Sequence, residues 1–375
     1  MNDMKTCFHG GASFDAIGSD FDRLESKSKV IRADVIDAWY DPAPNVVEAL
    51  EKNLKWLLRN SAPTNSEGLI KTISKVRGIP PENLLVGGGS SDLMFAFFLH
   101  YPFDSVTILD PMYGEYAHIF EKVLKKIPQR VLQRPKDCFK ISTDDILQGS
   151  AGSDMIVIVN PNSPTGQYLT KDEVQKLLLA LPKKTTLVID ETYIDFVGKD
   201  QSVEGLVPEH KNLVIIKSMS KVYALSGARV GYLAAHSDII EQIRGHIPPW
   251  SVGLIGQVAG VEALKNEEYY EKRIAETHQL RENFATQLKE IPGITVYPSC
   301  TNFILLDISN TGKNSKQIYE ELIKQNIYVR DVTSMGVQFD HNFIRIAVKD
   351  GQSNDKICSA LKNILKRTYE KSDTF

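Results

Sequence analysis

Six short runs of aliphatic and β-branched residues recur along the middle of the chain, at 84–86, 106–109, 156–159, 187–189, 214–216 and 230–233. Their hydrophobicity is continuous rather than alternating, the pattern of strands buried on both faces. Helix-like stretches lie between them, among them 91–100, 115–127 and 171–180. The last follows Thr170 and carries Asp172 and Glu173 in its first turn, an N-cap pattern. Strands that alternate with helices predict an α/β fold with a large, mostly parallel (mixed) sheet sandwiched by helices.

The last third reads differently. A long charged helix is predicted from about residue 266 to 291, ending at Pro292-Gly293. Strand-like runs follow at 294–296, 302–307, 327–330 and 343–348, with helices at 315–325 and 354–371. This pattern predicts a smaller α+β domain hung on a long helix. The expected division is an N-terminal arm over 1–45 that joins the small domain, a large domain over 46–265 and the small domain over 266–375.

Hydrophobic residues at 42% can build a real core, and a formal net charge of −3 gives no bulk attraction to nucleic acid or to an anionic membrane. Cys7, Cys138, Cys300 and Cys358 have neither CxxC nor metal-ligand spacing, which argues against a disulfide framework and a zinc site. The first residues lack a basic-then-apolar leader. No apolar run nears the roughly 18 residues of a membrane span. A cytoplasmic location is expected.

In open α/β sheets, ligands bind beyond the carboxyl ends of the strands. Here each predicted strand ends in polar chemistry. The first runs into Gly87-Gly88-Gly89-Ser90-Ser91, the second into Asp110-Pro111-Met112-Tyr113-Gly114. The third meets Asn160-Pro161-Asn162-Ser163-Pro164-Thr165-Gly166, and the fourth Asp190-Glu191-Thr192-Tyr193. The fifth ends in Lys217-Ser218-Met219-Ser220-Lys221, and Arg229 opens the next strand. Alone, each has a bland reading: a tight turn, a helix cap, a core tyrosine, a solvated lysine. The glycines lack the GxGxxG spacing of a dinucleotide site.

Taken in order, these pieces resemble the fold-type I enzymes that use pyridoxal phosphate (PLP), the aminotransferase superfamily. The similarity is greatest to its histidinol-phosphate aminotransferase and threonine-phosphate decarboxylase branch. It is carried by NPNSPTG at 160–166, DETY at 190–193 and SMSKVYALSGARVGY at 218–232. The resemblance implies that Lys221 is the Schiff-base lysine and proton shuttle. Asp190 would keep the pyridine nitrogen protonated. Tyr193 would donate to the phenolate oxygen O3′, and Tyr113 would stack on the ring. The phosphate would sit on Gly89, Ser90 and Ser91 at a helix start, with Ser218 and Arg229. Ser220 would support that turn. Asn162 takes the second contact to O3′, since Ser163 stands where the family often has another asparagine. Arg345 matches the clamp on the substrate α-carboxylate, and Arg330 an arginine that reaches a distal phosphate. A homodimer with shared active sites is implied.

The chain departs from that branch in three places. The segment 37–42 reads DAWYDP where the branch has an Asn-Glu-Asn-Pro-Tyr-Gly-like stretch. The segment 60–66 lacks the tyrosine that reaches the neighbouring subunit's phosphate. Glu115 stands where an apolar residue is common. Asp34, Asp37 and Glu115 thus place acids in segments that line the substrate mouth of this fold, which favours a cationic side chain. The Gly-rich arm with His9, Gly10 and Gly11 would either fold over the site as a lid or form a disordered terminus. FDAIG at 14–18, DVIDAWY at 34–40 and PPW at 248–250 resemble enzymes that cyclise hydroxylated arginine. The first reading is therefore dehydration of a hydroxylated L-arginine and addition of its guanidine, giving an enduracididine- or capreomycidine-type amino acid. Asp37 or Glu115 would hold the guanidinium. The alternative is an aminotransferase that moves an amino group from an amino acid to a 2-oxo acid. The same cofactor shell serves both.

Overall fold

The computed structural model describes residues 10–372, with side chains to 366. Cys7 and His9 lie outside the described residues. The strands are, in chain order, β1 (Ile31–Ala33), β2 (Leu84–Gly87), β3 (Val106–Asp110), β4 (Gln129–Leu132), β5 (Met155–Val159), β6 (Thr186–Asp190), β7 (Leu213–Ser218), β8 (Gly231–Ala235), β9 (Thr295–Val296), β10 (Phe303–Asp307), β11 (Ile327–Asp331) and β12 (Phe343–Ala347). Seven form the large sheet, in the order β2-β8-β7-β6-β5-β3-β4. All its pairings are parallel except the two made by β8. The fold is of the α/β class.

The continuous aliphatic runs have the cause expected of them. Successive side chains of a strand point to opposite faces. Ile156, Ile158, Leu187, Ile189 and Ile215 enter one apolar cluster. Their chain neighbours Val157, Val159, Val188, Val214 and Ile216 enter another on the opposite face. Both faces are covered, so neither has room for polar residues. The helix Lys171–Ala180 starts in a full capping box, with Thr170 and Glu173 exchanging bonds.

The small sheet has the order β1-β11-β12-β10-β9. Its apolar core packs Ile304, Leu306, Val329, Ile344 and Ile346 against Phe284 and Leu288 of the helix Glu267–Lys289 and Leu361 of the last helix. β1, from the N-terminal arm, pairs parallel with β11, with Ala33 opposite Val329.

Three elements differ from the sequence expectation. The helix predicted over 115–127 is Gly114–His118 followed by a π-turn, Ile119–Val123. It stops at Leu124 because Lys125 adopts a left-handed φ of 58°. The strands β1 and β4 carry no pattern that singles them out. β1 is three residues long, and β4 is an edge strand with one buried residue in four. Among the described residues no helix is long and apolar enough to cross a membrane.

Candidate active site

The carboxyl ends of β3, β5, β6 and β7 open on a cavity of about 320 Å³. β2 and β7 both run antiparallel to β8, so β2 ends on the same edge as the others. For the same reason Arg229, just before β8, reaches that edge from the opposite chain direction. Lys221, Arg229, Arg330 and Arg345 line the cavity with two carboxylates, Asp37 and Asp190. Four cations against two anions favour a ligand with more than one negative charge.

One end of the cavity is built for an oxyanion. The helix Ser90–His100 opens there, with Ser90 and Ser91 in its first turn. Its exposed N–H groups and dipole attract negative charge. Gly89 has a φ of 90°, and a Cβ there would lie 2.3 Å from Arg229 Nη2. A Cβ on Gly231 would lie 2.7 Å from the Ser90 nitrogen. The two glycines let the guanidinium and the helix start come together. Arg229 Nη1 donates to the Ser226 carbonyl at 3.2 Å. Ser218 Oγ accepts from the Ser220 N–H at 3.2 Å, which ties the two serines into one turn.

Asp190 sits at the other end, 3% exposed. Oδ2 accepts from the Tyr116 hydroxyl at 2.9 Å and Oδ1 from the Thr192 N–H at 2.9 Å. Burial raises its pKa, and these donors pull it only part of the way back. Neither oxygen meets a cation among the described residues. A buried carboxylate with neutral donors alone fits a protonated ring nitrogen arriving in the cavity. Lys221 stands between these ends. Its Nζ lies 3.3 Å from Asp37 Oδ1, which also accepts from the Ser226 hydroxyl at 2.7 Å. Burial lowers the Lys221 pKa, and Asp37 opposes that shift without cancelling it.

Arg345 is a buried cation with no carboxylate in ion-pair contact among the described residues. Nη1 donates to Ser163 Oγ and Nη2 to the Asp34 carbonyl, each at 3.0 Å, while Nε has no hydrogen-bond partner. Burial lowers its pKa to about 10. A ligand carboxylate would restore what burial takes away. Arg330 faces Arg345 in register across β11 and β12. Tyr193, also lining the cavity, has its pKa raised by burial, with the Arg345 charge opposing.

Lys221, Asp190, Tyr193, Tyr113, Ser90, Ser91, Ser218, Ser220, Arg229, Arg345, Arg330 and Asp37 therefore share one cavity, with Gly89 directly behind Arg229. Two predicted residues do not line it. Asn162 turns its amide away, 2.9 Å from the Pro111 carbonyl and 3.0 Å from Thr165 Oγ1. Its neighbour Ser163 faces Arg345 instead, its Oγ accepting from Nη1 at 3.0 Å. Glu115 is buried in the first turn of Gly114–His118 but is not part of the cavity wall. Two residues along a helix turn a side chain by about 200°, so Tyr113 and Glu115 cannot share a face.

Sequence reasoning passes over Tyr116, Thr192, Ser226 and Met335. Tyr116 was within reach: it lies three residues after Tyr113, and helical i,i+3 spacing brings the rings to 6.2 Å. Met335 comes from the small sheet's side, where its carbonyl accepts from the Met112 N–H at 3.0 Å.

The fold and this cavity define an enzyme that works with PLP. Residues 36–361 match the aminotransferase class I and II family, and the chain belongs to that family. It is 28% identical over 345 residues to a histidinol-phosphate aminotransferase of Clostridium acetobutylicum, covering 90% of this chain and 93% of that one. A crystal structure of the enzyme from that organism superposes with a TM-score of 0.79 at 26% identity, over 88% of this chain and 99% of that one. The histidinol-phosphate aminotransferase of Sinorhizobium meliloti, solved with PLP, gives a TM-score of 0.76 at 20% identity over 97% of this chain and all of that one. These relatives are aminotransferases. They favour amino transfer over the cyclisation put first above, and they lend the cyclisation no support.

Proposed function

We propose that the chain transfers the amino group of an α-amino acid to a 2-oxo acid. The observation that carries the reading is one cavity in which a partly buried lysine lies among a buried lone carboxylate, a helix-start oxyanion cup and a buried unpaired arginine. PLP supplies an electron sink for the pair left at Cα when a proton is removed. Ser90, Ser91, Ser218 and Arg229 would hold its phosphate, and Asp190 would keep a proton on its ring nitrogen. Tyr193 would donate to O3′. Ser163, with only one hydroxyl, would leave that oxygen with a weaker second contact than an asparagine provides. Tyr113, on the cavity wall, would cover a ring face. Arg345 would take the α-carboxylate and so present the Cα–H to Lys221. The lowered pKa of Lys221 suits an amine that must be neutral to accept that proton.

The same reading includes a homodimer and the division into an arm, a large domain over 46–265 and a small domain over 266–375. Leu58 and Trp250 are exposed, and in that homodimer a second copy would cover them.

The test is a half-reaction. PLP-loaded protein is mixed with single amino acids and no 2-oxo acid. Amino transfer releases one equivalent of 2-oxo acid per site and then stops until an acceptor is added. Continuous turnover with loss of water or carbon dioxide, and no oxo acid, would replace this reading with cyclisation or decarboxylation.

A further inference from the structure

We infer that Asp34 holds the far end of the substrate side chain, and that this end is a cationic hydrogen-bond donor of the guanidine, amidine or amine class. The inference rests on the amino-acid substrate proposed above and specifies its side chain.

A second cavity, of about 210 Å³, adjoins the first, and Arg330 lines both. Its wall includes Gly10 from the arm, Asp34, Tyr319 and Val329. Asp34 is 2% exposed. Oδ2 accepts from the Gly11 N–H at 2.7 Å, while Oδ1 is buried with no hydrogen-bond partner among the described residues. An unmet buried acceptor is costly, and a donor brought by a ligand removes that cost. The arm closes on this carboxylate because it carries glycine there. Gly10 has a φ of 93°, and a Cβ on it would lie 3.0 Å from Asp34 Oδ2.

The residue also fixes where the side chain must go. The carbonyl of Asp34 accepts from Arg345 Nη2 at 3.0 Å. The α-carboxylate clamp and the open carboxylate oxygen are thus joined through one residue. An amino acid bound at Arg345 has Asp34 beside its side chain.

The other charged groups around the second cavity do not offer the same contact. Asp331 is committed to the Ser315 hydroxyl at 2.8 Å and the Thr333 N–H at 2.9 Å. Lys316 is exposed, 4.0 Å from Glu320, and His341 is exposed beside Thr333. Arg330 lies at the neck, lining both cavities, and is paired in register with Arg345. At the Asp34 end of the second cavity, away from the Arg330 neck, a phosphate would meet a buried carboxylate, a like-charge contact. A guanidinium or ammonium would meet its opposite.

Arginine and citrulline test this, because they share a shape and differ in charge. Binding to the PLP-loaded protein is read from the change in cofactor absorbance, and transfer from 2-oxo acid release. Wild type is expected to bind arginine at least about tenfold tighter than citrulline, the effect of one buried charged hydrogen bond. Asp34→Asn keeps an acceptor for Gly11 and is expected to erase that preference, with citrulline affinity unchanged within about twofold. Equal wild-type affinity for the two would overturn the inference. So would a wild type that prefers histidinol phosphate to arginine, or an Asp34→Asn protein that loses both ligands alike. If the variant does not fold, the wild-type comparison decides alone, repeated with lysine against norleucine. Tight, charge-dependent arginine binding without oxo acid release would refute amino transfer and still support the role of Asp34.

Discussion

A single methyl group at Gly89 would meet Arg229 Nη2 at 2.3 Å, and a φ of 90° is one that alanine rarely adopts. Gly89→Ala is expected to keep the fold and to weaken PLP binding at least about tenfold, because the guanidinium must leave the helix start it serves. Absorbance titration with PLP, alongside circular dichroism, checks this; unchanged affinity would remove the oxyanion cup from the cofactor site. Tyr116→Phe makes a second prediction. It deletes one of the donors that pull the raised Asp190 pKa back down. The carboxyl then ionises at higher pH. If the ionised form is the working one, the acidic limb of the kcat/KM profile moves to higher pH, while the alkaline limb stays. A shift of the acidic limb to lower pH would contradict the assignment of Asp190.

Beneath the ends of β6 and β7 lies a buried ion network. Lys217, one residue before Ser218 on β7, has its Nζ 3.2 Å from Glu191, 3.3 Å from Glu204 and 3.7 Å from Asp195. Glu191 directly follows Asp190. Arg77 adds contacts of 2.8 Å to Asp195 and 3.7 Å to Glu204. The Tyr232 hydroxyl closes the network on Glu204 at 2.6 Å. Burial pulls the Lys217 pKa down, but the three acids outweigh it and the group stays charged. Lys217→Met would leave three buried acids to one arginine, a loss of about 3–5 kcal/mol of stability. A lower urea midpoint at constant m-value is expected, with Lys217→Arg recovering most of it. A neutral result would mean that the acids take up protons without consequence for the fold.

At the scale of the whole molecule, the helix Pro44–Arg59 buries Val46 and Leu57 and leaves Leu54 and Leu58 exposed one turn apart. The loop that follows meets the backbone of another exposed aromatic, since the Trp250 main-chain N–H donates to the Thr64 carbonyl at 3.4 Å. Leu58 is 68% exposed and Trp250 53%. Large apolar side chains exposed in this way call for a covering surface. Gel filtration should give twice the 42.0 kDa of one chain, and Leu58→Asp with Trp250→Asp should give a single chain with much reduced activity. A fully active wild-type monomer would exclude shared sites.

The order of strands, and the polar residues that end them, could be read from the sequence because each is a local fact. Two-sided burial writes itself into every strand as an unbroken aliphatic run, and the chemistry follows within a few residues. Lys221, Asp190, Tyr193 and the Ser90–Ser91 turn were legible for that reason. The rest depended on direction and on distance along the chain. Only the reversal of β8 brings Arg229 to the edge where the other strands end. Only the helix path from Tyr113 turns Glu115 away and sets Tyr116 on Asp190. Asp34 and Arg345 are 311 residues apart, and no periodicity links them. Their contact exists because β1 of the arm pairs with β11 beside β12, a choice made by burying Ala33 in the small sheet's core.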